Sequence, residues 1–222
     1  MLRLDLHVHS KYSPDSSCEV RDILRGATAR DLHGVSITDH HSLKGSLKAL
    51  EMAREEGIIL VRGMEVSSRN GHILAYGLEE EIPEGLSAEE TVERITESGA
   101  FAVAAHPYRF WSGLGEDVIR GARFQGLEVR NARSVVGHNR RSESLALELG
   151  LPATAGSDAH ATSEIGRAVV LLPDGLDSEE EVLLALRKGL GRTAGVSRDT
   201  VRTLRYVAKC VGGWFLRGFK KI

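Results

Sequence analysis

The chain has 222 residues, of which 41% are hydrophobic and 27% charged, and its formal net charge is −2, values typical of one globular domain with a full core. Two cysteines cannot form a disulfide framework or a cysteine-built zinc site, and an aromatic content of 5% argues against a stacking surface for single-stranded nucleic acid. Because the N-terminus lacks the pattern of a secretory signal and no apolar run reaches transmembrane length, we expect a cytoplasmic protein.

Short apolar runs alternate with helical patterns along most of the chain. The strands are predicted at Leu2–His9, Gly34–Thr38, Ile58–Arg62, His72–Gly77, Phe101–Ala105, Gly126–Val129, Ala153–Gly156 and Ala168–Leu172. The helices are predicted at Glu19–Leu32, Leu43–Glu56, Ala88–Ser98, His138–Leu149 and Ser178–Lys188. Two of the helices begin with the spacing of a capping box, formed by Ser87 with Glu90 and by Ser178 with Glu181.

The alternation predicts one α/β domain over residues 1–196, with crossover connections and a mainly parallel sheet that is either open or closed into a barrel. No linker or low-complexity stretch interrupts this part of the chain. In parallel α/β folds, ligands bind at the carboxyl ends of the strands. Functional residues are therefore expected just after the predicted strands.

Residues 197–222 differ from the rest of the chain in charge, because they carry seven Lys or Arg side chains against Asp199 alone. Their apolar residues recur at helical spacing, although Gly212 and Gly213 should weaken or kink a helix. One interpretation is a basic amphipathic helix packed on the acidic barrel. The other is a peripheral segment that makes a weak contact with a membrane surface or a nucleic acid.

His7 and His9 stand two positions apart in a predicted strand, so both imidazoles would lie on one face and could bind one metal ion. Further metal-binding side chains stand beside other predicted strands: Asp39 and His40 after the second, Glu65 after the third, His72 at the start of the fourth, His106 after the fifth, and Asp158 and His160 after the seventh. Unrelated structural histidines have no reason to collect at one edge of a sheet. We therefore interpret the set as one metal site.

The chain resembles the polymerase and histidinol phosphatase (PHP) family in Asp5–Ser10, Tyr12–Asp15, Ile37–His41, Gly63–Val66, Gly71–Gly77, Ala105–Pro107 and Ser157–His160, in the order of that family. The resemblance implies a distorted, roughly seven-stranded (β/α) TIM-like barrel with three divalent metal ions at the carboxyl ends of the strands. It assigns His7, His9, Glu65 and Asp158 to one ion, Glu65 as a bridge together with His72 and His106 to a second, and Asp15, His40 and His160 to the third. Asp15 stands where some members have histidine.

The ligand types indicate the chemistry. Imidazoles and carboxylates without thiolates suit Zn²⁺, Mn²⁺ or Fe²⁺ and do not choose among them. Ions about 3.5–4 Å apart can lower the pKa of a bridging water and clamp the attacking and leaving oxygens at phosphorus. We therefore predict metal-dependent hydrolysis of a phosphoester by a metal-bridging hydroxide held by Glu65 and neighbouring ligands, without a protein nucleophile.

Phosphate binding also requires cationic groups outside the metal site. Arg109 follows His106 by three residues, and Arg133 follows the sixth predicted strand. A guanidinium group matches the geometry of phosphate oxygens. Lys11, beside His9, is a third candidate. For all three, an ordinary surface position is the alternative.

Two carboxylates are candidates for orienting the histidines. Asp5 shares a strand face with His7 and His9 and could accept hydrogen bonds from them, or it could be a buried structural carboxylate. Asp39 could act in the same way beside His40.

Three histidines are not assigned to the site. His33 precedes a glycine at a predicted helix end, where it would complement the helix dipole. His41 would point away from His40 in an extended segment, and His138 begins a polar helical stretch. Solvated or capping roles are predicted for all three.

Other functions remain open at this stage. Amidohydrolases also place His-x-His on the first strand of a barrel, but many bridge two metals with a carboxylated lysine, and this chain has no lysine between Lys48 and Lys188. Histidinol-phosphate phosphatase activity and a non-catalytic, metal-bound module that docks through residues 197–222 are further alternatives. The predicted substrate is a small phosphomonoester, and a nucleotide is one candidate.

Overall fold

The computed structural model describes residues 1–198, which fold around one nine-stranded sheet. The strands are β1 (Leu2–Val8), β2 (Gly34–Ile37), β3 (Ile59–Ser68), β4 (Gly71–Tyr76), β5 (Phe101–Ala104), β6 (Gly126–Asn131), β7 (Ala153–Gly156), β8 (Ala168–Leu172) and β9 (Arg192–Gly195). The helices are α1 (Val20–Thr28), α2 (Lys44–Glu55), α3 (Ala88–Glu97), α4 (Glu116–Gly121), α5 (Val136–Leu149) and α6 (Glu179–Arg187), and Thr162–Glu164 forms a 3₁₀ turn. The strand order is β7-β6-β5-β4-β3-β2-β1-β8-β9.

Backbone hydrogen bonds bring β7 back to β1. The N–H of Asp158 donates to the carbonyl of His7 at 2.7 Å, and the N–H of His9 donates to the carbonyl of Ala159 at 2.9 Å. Strands β1 to β7 therefore form a nearly closed barrel, while β8 pairs with the first half of β1 and β9 pairs with β8. This confirms the predicted distorted TIM-like barrel.

The sheet is mixed rather than mainly parallel, because four of its eight strand pairs are antiparallel. β3 and β4 are joined by a tight turn, and a connection this short allows only an antiparallel pair. β3 also continues to Ser68. Glu65 therefore lies inside this strand, whereas the sequence analysis placed it after the strand. The reversed β4 brings its first residues to the carboxyl ends of β3 and β5.

Large apolar side chains fill the end of the barrel opposite to those carboxyl ends. Tyr76, which ends β4, and Phe101, which begins β5, are fully buried there beside Leu6. Val182 and Leu186 of α6 belong to the same cluster, so this helix closes the barrel end. Each such buried side chain contributes about 1.5–3 kcal/mol. The polar side chains described below therefore occupy the opposite end.

The structure can be compared with the predicted capping boxes and helix ends. The capping box at Ser87 is complete, because Ser87 and Glu90 each accept a hydrogen bond from the other's backbone. At the second predicted box, the Ser178 side chain accepts from Glu181, but Glu181 accepts from the backbone of Asp177 instead. α1 ends four residues earlier than predicted, and the short α4 and the strand β9 were not predicted.

The predicted C-terminal helix lies almost entirely outside the described residues. The last two of these residues pack on the barrel: the Asn139 side chain donates to Ser197 at 2.8 Å, and the N–H of Arg198 donates to the Ser134 carbonyl at 2.9 Å. Among residues 1–198, no helix combines the length and the apolar character needed to cross a membrane.

Candidate metal centre

All nine predicted metal ligands lie at the same end of the barrel. They are His7 in β1 and His9 just after it, Asp15 in the following loop, His40 after β2, Glu65 in β3, His72 in β4, His106 after β5, and Asp158 and His160 after β7. The reversal of β4 is what places His72 with the others. The topology therefore brings together side chains as distant in the sequence as Asp15 and His160, which are 145 positions apart.

Four buried side chains form the inner group of ligands. Nε2 of His7 lies 3.2 Å from Nε2 of His9, and both nitrogens lie 3.3 Å from Oε2 of Glu65. Oδ1 of Asp158 is 3.5 Å from His9 and 3.9 Å from His7. Ligands about 2.0–2.2 Å from a tetrahedral ion are separated from each other by about 3.3–3.6 Å. The donor types and their spacing thus fit a divalent cation.

The second oxygen of Glu65 faces two other imidazoles. Oε1 lies 2.9 Å from Nδ1 of His72 and 2.9 Å from Nε2 of His106. Since Oε2 faces His7 and His9, the carboxylate stands between two groups of nitrogen ligands. This is the position that a bridging carboxylate requires.

A third group lies toward the solvent. Oδ2 of Asp15 is 2.7 Å from Nε2 of His160 and 3.6 Å from Nε2 of His40. The buried Nδ1 of His40 makes no hydrogen bond within residues 1–198. His9 has a ligand atom within 4.8 Å of those of Asp15 and His160, so this group is continuous with the first.

The electrostatics of the centre favour bound cations. Burial would raise the pKa of Glu65, but the imidazoles of His72 and His7 hold it well below its ordinary value. Burial would also raise the pKa of Asp158, but the charges of Arg109 and His7 hold this pKa well below its ordinary value. Buried ionised carboxylates require positive partners, which protonated imidazoles or metal ions can supply.

Two of the ligands have strained backbone conformations. His106 and Asp158 have φ angles of 25° and 54°, in the left-handed region that side chains other than glycine rarely adopt. Each follows a strand of the barrel and turns its side chain toward the centre. Strain of this kind is concentrated at functional sites, where the surrounding structure holds it.

Glu128 on β6 is a site residue that the sequence analysis missed. Its Oε1 lies 3.0 Å from Nδ1 of His7, and its Oε2 accepts from the N–H of His106 at 2.7 Å. The side chain of Asn131 also donates to both oxygens. A carboxylate inside an apolar strand was the available signal, because it must have buried partners.

The two carboxylates proposed to orient the histidines bind the backbone instead. Asp5 accepts from the N–H groups of His7, Ser157 and Gly166 at 3.3, 2.8 and 2.7 Å, which fits the alternative of a buried structural carboxylate. Asp39 accepts from the backbone and the hydroxyl of Ser10 at 2.5 and 2.6 Å. Both fix loops at the strand ends, and the contact with the imidazole of His7 is made by Glu128.

A cavity of about 350 Å³ opens above the metal centre. Its wall includes Arg109, Arg133 and His138 as well as metal ligands. Arg109 donates to Asp158 at 2.6 Å, and a nitrogen of Arg133 lies 3.6 Å from the same carboxylate. Both arginines are therefore placed where we expected phosphate-binding groups.

Lys11 is not part of the cavity wall. Its ammonium group is exposed and pairs with Glu19 at 2.9 Å, so the structure gives no support to a phosphate contact. His41 pairs with Glu84 at 3.3 Å. His33 does not cap a helix, because α1 ends earlier, and its Nδ1 accepts from the N–H of Arg3.

The chain is similar in sequence to several known proteins. A family model described as PHP-associated matches residues 136–190. An uncharacterized protein of Methanocaldococcus jannaschii is 39% identical over 142 residues, which make up 59% of this chain and 82% of that protein. A 3′,5′-nucleoside bisphosphate phosphatase of Chromobacterium violaceum is 32% identical over 114 residues, 47% of this chain and 40% of that protein.

Solved structures share the fold. A two-domain protein of Bacteroides vulgatus containing a predicted PHP-like metal-dependent phosphoesterase superposes with a TM-score of 0.74 at 19% identity, over 88% of this chain and 65% of that one. The nearly closed barrel agrees with this fold. The chain belongs to the PHP family.

Proposed function

We propose that this protein hydrolyses a small phosphomonoester with the help of three divalent metal ions. The observation that carries the proposal is that Arg109 and Arg133 share one cavity with six of the nine metal ligands. Cations and guanidinium groups that converge on one small volume suit a phosphoryl group, because they complement both its charge and its oxygen geometry.

The ligand types suit zinc, manganese or iron. As the resemblance implies, the first ion would be held by His7, His9, Glu65 and Asp158, the second by Glu65, His72 and His106, and the third by Asp15, His40 and His160. When bound, such ions lower the pKa of a coordinated water, so that it can supply the attacking hydroxide, and they neutralise charge on the phosphoryl oxygens. A serine or cysteine nucleophile is therefore not required.

The two arginines would bind and orient the phosphoryl group. Arg109 is held toward the ligands by its hydrogen bonds to Asp158 at 2.6 Å and Asn131 at 2.8 Å. A guanidinium group has five N–H donors, so Arg109 can keep these bonds and still donate to the substrate. Arg133 borders the same space from the other side of Asp158.

The size of the cavity favours a small substrate. A volume of about 350 Å³ lies at the lower end of the range for small-molecule sites. The similarity to a nucleoside bisphosphate phosphatase makes a nucleotide one candidate.

The test is to load the purified protein with zinc, manganese or iron and to assay an aryl phosphate, a bis-aryl phosphate and an aryl ester. We expect phosphate release from the monoester that is lost on chelation. Asp158→Asn removes a ligand of the first ion and should reduce turnover on the order of 100-fold or more. The exposed Asp22 on α1 gives a matched control, because Asp22→Asn makes the same change outside the site.

Two results would contradict the proposal. Unchanged activity of Asp158→Asn would exclude the first metal site, and ester hydrolysis without phosphate release would favour an amidohydrolase-type reaction. A screen of phosphorylated metabolites that includes histidinol phosphate then identifies the substrate. A fully metal-loaded protein that hydrolyses none of them would favour a non-catalytic docking module.

A further inference from the structure

Two neighbouring aromatic side chains on the cavity wall are almost fully exposed. Phe110 is 84% and Trp111 96% accessible, although most large apolar side chains of the described chain are buried. Both line the cavity that contains the metal ligands and Arg109. Exposed aromatic rings at a small polar site commonly provide a surface for binding.

The loop that carries the two rings has a fixed shape. The N–H of Gly113 donates to the Arg109 carbonyl at 2.9 Å, and the N–H of Gly115 donates to the Pro107 carbonyl at 3.0 Å. A Cβ atom at Gly113 would lie 2.6 Å from backbone atoms of Arg109, so the loop can close this tightly only with glycine. The rings therefore project from a hydrogen-bonded loop.

Tyr108 anchors the same loop to the helices. The guanidinium group of Arg141 lies 4.1 Å from the centre of the Tyr108 ring, and the Tyr108 hydroxyl donates to Glu116 at 3.0 Å. Tyr108 thus packs on the protein, whereas the next two aromatic residues, Phe110 and Trp111, face the solvent.

The loop is also bonded directly to the metal centre. It begins at the ligand His106, and the N–H of His72 donates to the Ser112 carbonyl at 2.9 Å. Its Arg109 holds Asp158. One short segment therefore sets the position of a phosphate-binding cation and of the aromatic rings relative to the ligands.

The surroundings favour part of the substrate as the occupant of this surface. Beside the two rings, the cavity wall is mainly polar and charged, with His138, Ser134 and Arg198 among its residues. The ring centres of Phe110 and His138 are 5.7 Å apart in an edge-on contact. Trp111 is the more exposed of the two aromatic rings. Two rings among charged groups make too small an apolar area for a protein interface, but they match one flat, polar ring system.

We propose that Trp111, supported by Phe110, stacks on the base of a nucleoside phosphate whose phosphoryl group lies at the metal centre. This inference rests on the proposed phosphomonoesterase function and deepens it, because it identifies the alcohol released by hydrolysis as a nucleoside. Stacking recognises a flat heterocycle with little preference among bases. Specificity should therefore extend over several nucleotides.

The test compares two nucleotides with a sugar phosphate that lacks the base. The metal-loaded protein is assayed with 5′-AMP, 3′-AMP and ribose 5-phosphate, before and after Trp111→Ala. Loss of one stacking contact corresponds to about 5- to 150-fold in affinity. We expect a fall of this size in kcat/KM for the preferred AMP isomer, mainly through KM, with ribose 5-phosphate unchanged and with partial rescue in Trp111→Phe.

A binding measurement and a remote control complete the test. AMP should quench indole fluorescence in the wild type but not in Trp111→Phe, which keeps the chain's other tryptophan, Trp214. Leu184→Ala, an exposed site on α6 at the opposite end of the barrel, should change neither readout. Equal effects of Trp111→Ala on AMP and ribose 5-phosphate, or none on either, would overturn the stacking inference. No phosphate release from any of them or from an aryl phosphate would instead reject the proposed function.

Discussion

Glu128 and His7, which stand 121 positions apart in the chain, form a buried pair in which Oε1 of Glu128 lies 3.0 Å from Nδ1 of His7. Both side chains are fully buried. A carboxylate oxygen at this distance suits the tautomer of His7 that donates from Nδ1, which leaves Nε2 available to bind an ion beside His9 and Glu65. Carboxylates commonly fix metal-binding histidines in this way.

The pair predicts the effect of replacing Glu128 with glutamine. Glu128 accepts from His7 with one oxygen and from the His106 N–H with the other. Glutamine has the same shape but only one acceptor, so one of these bonds must be lost. We expect Glu128→Gln to lower metal affinity by about 10- to 100-fold, measured by competition with a chelating dye.

The exposed Glu93 on α3 provides the control, because Glu93→Gln makes the same chemical change far from any proposed ligand. Its metal affinity should equal that of the wild type. Wild-type affinity in Glu128→Gln, with the variant folded, would show that the carboxylate does not orient His7.

Part of the ligand set was predictable because it depends on local rules. His7 and His9 are two apart in a strand, so their side chains share a face whatever their distant neighbours are. The tendency of parallel α/β folds to bind ligands at the carboxyl ends of strands then grouped His40, His106 and Asp158 with them. Neither rule requires knowledge of which strands are neighbours.

The parts that were missed depend on distant contacts. The strand predicted at Ile58–Arg62 stops before Gly63, but β3 continues through Gly63, where a Cβ atom would lie 2.9 Å from the Thr38 side chain. Gly63 is thus a point of close approach between strands and not a strand end. The carboxylate of Glu128 in the apolar strand β6 signals a buried partner, but the identity of that partner was not predictable, because His7 stands 121 positions earlier in the chain.

The ion-pair cluster around Glu116 predicts how stability depends on pH. Hydrogen bonds from Arg120, Arg141 and Tyr108 lower the pKa of Glu116 from 4.5 to about 2. A carboxylate with a lowered pKa in the folded state contributes its stability above the unfolded pKa and loses it as pH falls through the folded pKa. The contribution of Glu116 should therefore be complete above about pH 5 and should decline from about pH 4.5 to 2.

Glu116→Gln tests this expectation through urea unfolding at pH 7, 5, 4 and 3. The difference in free energy of unfolding between wild type and variant should be constant from pH 7 to 5 and should shrink at lower pH. Because the Glu116 side chain is partly exposed, the effect should also weaken with salt. A difference that grows as the solution is acidified would contradict the assigned direction of the pKa.

The barrel closes where β7 contacts β1 at His7, so we expect a strong effect on stability when one methyl group is added at this contact. A Cβ atom at Gly156, the last residue of β7, would press against the Cβ of His7 and lie 2.6 Å from its backbone nitrogen. Backbone cannot move aside as a flexible side chain can, so Gly156→Ala must push β7 away from β1. We expect a loss of about 1–3 kcal/mol in the free energy of unfolding, as in other overpacked cores, together with weaker metal binding.

Gly137 makes the comparison specific. It lies in α5, and a Cβ atom there would have no atom within 4 Å beyond its own stretch of helix, so the same substitution meets open space. Gly137→Ala should leave metal binding unchanged and raise the free energy of unfolding by up to about 1 kcal/mol, because alanine favours the helix. Urea unfolding and metal titration of both variants measure the two effects. If Gly156→Ala proves as stable as Gly137→Ala and keeps its metal affinity, the close contact of β7 with the backbone of His7 cannot be what positions the first metal ligand.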